Sequence, residues 1–170
     1  EGPGHCGECH SPRNLFQAVS SERSLAGNLI QGWNAYNNSA DPVHGIGAWP
    51  TDVLAGYLKD GAAPGLGLSS GPMAEVVENS LRHLTDADRQ AIAVFLKDSP
   101  PRSEGVPRPQ QVTLAEPGSG SALGNKLFAE ACASCHRWDG TGNQSQTAML
   151  LGLKTVNDPA ASNLLGILLS

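Results

Sequence analysis

The chain has 170 residues, a formal net charge of −5, 5% aromatic residues, 20 glycines and 12 prolines. The acidic balance excludes a partner held through nucleic-acid phosphates. No apolar run approaches the roughly 20 residues that cross a bilayer, the longest candidate being the six residues of 164–169. This length allows one ordinary domain or two small ones, and the thin aromatic content leaves either short of core. Small loop-rich domains offset that deficit with a disulfide, a metal or a large prosthetic group. No signal peptide is visible at the start, and a cysteine motif follows after five residues, as expected of a fragment.

In chain order, the first element is Cys-Gly-Glu-Cys-His at 6–10. Residues 11–50 are rich in Gly, Asn, Ser and Pro without sustained periodicity, so they read as irregular chain. "TDVLAGYLKDG" predicts a helix capped by Thr51 and ended by Gly61, with Leu54, Tyr57 and Leu58 on one face. Residues 61–72 read as loop, and 73–83 as a helix packed through Val76, Val77 and Leu81. "TDADRQAIAVFLKD" carries the clearest helix signal. Thr85 is its N-cap, acids fill its first turn, Lys97 closes its last, and Ile92, Phe95 and Leu96 form its apolar stripe. Residues 99–121 hold five prolines and read as a linker. A further helix, with Leu123, Leu127, Phe128 and Ala131 on one side, runs into Cys-Ala-Ser-Cys-His at 132–136. No stretch carries a strand signal.

All four cysteines lie in those two pentapeptides. A redox disulfide explains a Cys-x-x-Cys pair and ignores the histidine. A zinc site could draw four thiolates from the two pairs, but it spans more than a hundred residues and again ignores both histidines. Covalent haem attachment uses all six residues. Cys6 with Cys9, and Cys132 with Cys135, form thioethers to the porphyrin edge. Positions i, i+3 and i+4 share one face of a helical turn, so His10 and His136 lie beneath the ring and can bind iron. Two covalent haem c groups are expected, and each would supply apolar core that the side chains do not.

A six-coordinate haem needs a second axial ligand. Met73 follows Gly71-Pro72, 63 residues after His10, where a stiff backbone can present its thioether to the first iron. Met149 lies 13 residues after His136. That reach is about 43 Å when fully extended, which leaves no slack for packing, so an ordinary buried residue is expected there. His44 and His83 read as surface residues, and His5 points away from the haem face in helical register.

The motifs "GPGHCGECHSPRN", "DPVHGIGAWPTDVLAGYLKDG", "GPMAEVVENS", "LTDADRQAIAVFLK" and "CASCH" make the chain resemble the multi-haem cytochrome c subunits of bacterial membrane-bound dehydrogenases. Those subunits serve alcohol, gluconate, sorbitol or aldehyde dehydrogenases and contain three cytochrome c domains. The resemblance implies a mainly α fold of tandem domains, with helices and long loops wrapped around haem. Residues 1–98 match the family's second domain, 99–121 the linker, and 122–170 a truncated start of the third. The third domain's methionine belongs to a tail beyond residue 170, so the second iron's distal ligand is expected outside the chain.

The function implied is electron transfer from a periplasmic dehydrogenase catalytic subunit to ubiquinone or a terminal oxidase, with no enzymatic step of its own. The location implied is the outer face of the cytoplasmic membrane, with peripheral association through a region not in this chain. Arg13 is expected to pair with a haem propionate, and Trp49 to pack on the haem edge. The alternative is a catalytic di-haem protein, peroxidase-like, with one open iron position.

Overall fold

The computed structural model describes residues 4–103, 119–143 and 145–169. It is mainly α. Helix α1 (Cys6–His10) is followed by a hairpin of β1 (Asn28–Ile30) and β2 (Trp33–Ala35), then helix α2 (Thr51–Asp60). A second small hairpin, β3 (Ala62–Ala63) and β4 (Gly67–Leu68), leads to helices α3 (Pro72–Asn79) and α4 (Asp86–Lys97). The later part holds α5 (Ala122–Ala131), α6 (Ala133–His136), α7 (Lys154–Asn157) and α8 (Ser162–Leu169).

Helices α2 and α4 pack together around a core of Leu25, Ile46, Leu54, Ala93 and Leu96. Leu58, Val77 and Leu81 form a second cluster, with Met73 and Tyr57 against its edge. Thr85 caps α4 as its sequence predicts. Its hydroxyl accepts the Asp88 N–H at 3.1 Å, and the Asp88 carboxylate reaches back to the Thr85 N–H. Gly61 ends α2 in the left-handed conformation that favours glycine, at φ 72°.

Several expectations are corrected. Thr51 is the first helical residue of α2; the position before it is Pro50, and no side-chain cap forms. The helix expected over 73–83 starts at Pro72 and ends at Asn79. Ser80 breaks it, and Leu81–His83 continue as one 3-10 turn. Phe95 is 70% exposed, and the buried face of α4 is Arg89, Ala93 and Leu96. Arg89 can be buried because it donates to the carbonyls of Leu81, Arg82 and Leu84 and pairs with Asp86, so its charge has partners throughout.

The two hairpins have no counterpart in the sequence reading. The pairing Ile30↔Trp33 leaves Gln31-Gly32 as a two-residue loop, with φ 51° and 81°. Positive φ at both positions suits the right-handed twist of the flanking strands. Leu123 and Leu127 on α5 are exposed. Of the expected linker, residues 104–118 lie outside the described residues.

His44 is also corrected, from surface to buried. Its backbone N–H donates to Asp41 Oδ1 at 2.6 Å, and its ring Nδ1 lies 3.2 Å from the same oxygen. Burial pushes the Asp41 carboxyl up, but the N–H donors of His44 and Val43 and the Ser103 hydroxyl act against it, and the group lies below the ordinary range. The chain folds tightly on itself here: a Cβ on Gly45 or Gly47 would overlap the backbone of residues 39–41. This turn brings Trp49 to the wall of a cavity.

Candidate functional site

The cavity lies between α1, the β1–β2 hairpin, α2 and the loop before α3. Cys6, Cys9, His10, Trp49 and Met73 all line it. Its walls are largely apolar, with Trp33, Leu54, Tyr57 and Leu81 among them. Trp49 stands edge-on to Tyr57, ring centroids 5.5 Å apart and planes at 88°. Burial pushes the Tyr57 hydroxyl up to about 12.

α1 is a short helix, so Cys6, Cys9 and His10 present one face. His10 Nδ1 donates to the Tyr36 carbonyl at 2.6 Å. That bond fixes the ring proton on Nδ1 and leaves the Nε2 lone pair as the available donor to a metal. Burial, with the Lys154 ammonium nearby, holds the imidazole below its ordinary value and so in the neutral, ligating form. Burial pushes the Cys6 thiol up.

Met73 is the second residue of α3, and the motif around it has a steric reason. Gly71 has φ 51°, and a Cβ there would overlap the Trp33 indole. Pro72 then occupies the first helical position, where its missing N–H costs nothing. Gly71→Ala should cost about 2–4 kcal/mol, summing overpacking and strained backbone. Chemical denaturation measures this, and a change under about 0.5 kcal/mol, the range of ordinary surface substitutions, would contradict the packing.

The second pentapeptide repeats the local design. Ser121 caps α5, the helix breaks at Cys132, and α6 carries Cys135 and His136. His136 Nδ1 donates to the Ala148 carbonyl at 2.7 Å. Met149 therefore follows directly on the residue that buttresses the Nδ1 side of His136, opposite the face where a metal would sit. Its sulfur packs near Gly65. Phe128 stacks on Trp138, centroids 5.7 Å apart and planes at 26°.

Arg13 is placed elsewhere. Its guanidinium pairs with Glu8 at 2.5 Å and donates to the Gln17 carbonyl at 2.8 Å, in the exposed loop closed by the Arg13↔Val19 bridge. It does not line the cavity. Among the described residues no three His, Cys, Asp or Glu side chains converge on a metal site, and all four thiols are free. Two thiols, an imidazole lone pair and a thioether around an apolar cleft fit a covalently held haem.

This arrangement is that of a c-type cytochrome, and residues 121–167 match the cytochrome c family. The chain is a relative of the cytochrome c subunits of bacterial dehydrogenases. It is 37% identical to the fructose dehydrogenase cytochrome subunit of Gluconobacter japonicus, over 96% of this chain and 38% of that protein. It is 35% identical to the cytochrome c subunit of the quinone alcohol dehydrogenase of Gluconobacter oxydans, over 94% of this chain and 36% of that protein. It is 37% identical to the gluconate 2-dehydrogenase cytochrome c subunit of Pantoea cypripedii, over 83% and 34% respectively. The chain thus spans about a third of the length of these relatives.

Among the described residues no helix is long and apolar enough to cross a membrane. The histidine buttresses from Tyr36 and Ala148 escaped the sequence reading, because their partners are 26 and 12 residues away with no motif to mark them.

Proposed function

We propose that this chain is an electron-transfer segment with two covalent haem c groups, passing electrons from a dehydrogenase catalytic subunit toward ubiquinone or a terminal oxidase. The observation that carries the proposal is the cavity lined by Cys6, Cys9, His10 and Met73, with His10 buttressed through Nδ1. Haem supplies a one-electron ferric/ferrous couple. The chain's residues hold and tune it. Cys6 and Cys9 anchor one porphyrin edge and Cys132 and Cys135 the other group. His10 and Met73 would hold the first iron, and His136 would hold the second. Apolar walls around Trp49 and Leu54 keep water from the first site. Met149 is not an axial ligand in this reading, because its loop stands behind His136. Arg13 braces the 13–19 loop through Glu8 instead of meeting a propionate.

The chain makes and breaks no substrate bonds. Residues 1–98 form one cytochrome unit and 122–170 part of another. Haem linked through thioethers is attached outside the cytoplasm, which supports a periplasmic position beside a membrane-bound dehydrogenase. Rapid mixing of the oxidised holoprotein with reduced fructose, alcohol or gluconate dehydrogenase catalytic subunits tests the proposal. Reduction of the haem bands within the mixing experiment is expected. Failure with all three, together with turnover of hydrogen peroxide, would overturn it.

A further inference from the structure

The cavity around His10 is not closed by its own unit alone. Lys154, Thr155 and Asn163 also line it, and they come from α7 and α8, more than a hundred residues away in sequence. The docking is specific. Asn163 is buried, accepts the Asn34 N–H at 2.7 Å and donates to the Asn34 carbonyl at 2.9 Å, so its amide completes the edge of β2. Asp158 accepts from the Tyr36 hydroxyl at 2.9 Å and from the Asn34 amide at 3.3 Å. Lys154 donates to the His44 carbonyl and holds its ammonium 5.0 Å above the Tyr36 ring. Tyr36 is the residue whose own carbonyl fixes His10.

We propose that the second unit completes the first haem pocket, and that Lys154 is a buried cation set there to raise the reduction potential of the first haem. The inference rests on the haem reading of the previous section. Oxidation of iron adds one positive charge, and a cation behind low-dielectric walls opposes that charge more than water would. Asp158 and Asp41 lie near Lys154 and offset part of its field. Removing the lysine charge takes away its positive field and leaves the unchanged negative field of those carboxylates, so the potential falls. Burial pushes the ammonium down to about 8, so it remains charged at neutral pH.

The test is a redox titration of the holoprotein, with the first haem's wave assigned as the one that Met73→His displaces. Lys154→Gln is one bond shorter, but it keeps an N–H donor on the side of the His44 carbonyl and removes the charge. It should lower the first wave by about 59 mV, a tenfold change in the ferrous/ferric ratio, and leave the second wave in place. Lys154→Arg should hold the first wave. Asn163→Ala, which weakens docking without removing a charge, should shift the first wave less than Lys154→Gln. A first wave unmoved by Lys154→Gln, or lowered as far by Lys154→Arg, would overturn the inference. If Met73→His moves neither wave, the ligand reading fails instead.

Discussion

Denatured holoprotein should weigh the polypeptide plus two haems, and Cys6→Ser with Cys9→Ser should remove one of them. Thioether links survive denaturation, whereas a haem held by axial ligands alone does not. Each pentapeptide has the thiols, the turn and the buttressed histidine that attachment requires. The loss should be one haem per chain, half the haem absorbance, with the remaining haem on Cys132 and Cys135. The first unit should also unfold more readily, since its cavity would keep its apolar walls and lose what fills them. One haem mass in the unsubstituted protein, unchanged by the double substitution, would confine haem to the region that matches the cytochrome c family. Bare polypeptide, with zinc released by acid, would sink the haem reading of both motifs.

Met73→His should lower the first haem's midpoint by more than about 0.1 V, inside the roughly 0.8 V that axial ligands span. A thioether favours ferrous iron, and imidazole shifts the balance toward ferric. Position 73 tolerates the change sterically better than position 71, because Met73 is only half-buried at the cavity wall while Gly71 has an indole against it. Met73→Ala should open the sixth position. Carbon monoxide added to the reduced protein should then bind one more equivalent per chain than it does in the unsubstituted protein. An unchanged midpoint in the first variant, and no added carbon monoxide in the second, would remove Met73 from the iron.

Local signals were legible, and distant ones were not. The α4 capping box is written within four residues, Thr85 to Asp88, so the sequence was enough to place it. Both pentapeptides are likewise local, as is the Gly-Pro-Met approach to α3. His44 read as a surface residue because its Asp41 partner carries no motif, and because the lysine on its carbonyl is 110 residues away. Arg89 is buried where a charge is not expected, since three carbonyls of the 81–84 turn converge on it. Phe95 went the other way: the helical period fits two faces of α4, and only the position of α2 decides which one is covered. The β1–β2 hairpin is three residues a side, too short for an alternating pattern to rise above its neighbours. The lining supplied by Lys154 and Asn163 depends wholly on how the later part of the chain packs, which no local pattern encodes.

The Trp33 indole lies between two glycines. Gly71 meets one part of the ring, and a Cβ on Gly166 of α8 would come within 2.9 Å of another. The two glycines are therefore held for different reasons. Position 71 stays glycine whatever stands at 33, because its backbone, at φ 51°, strains any side chain. Position 166 is limited by the ring alone, so a side chain there is admissible once the ring at 33 has shrunk, and among homologous sequences bulk at 33 should trade against bulk at 166 while 71 remains glycine.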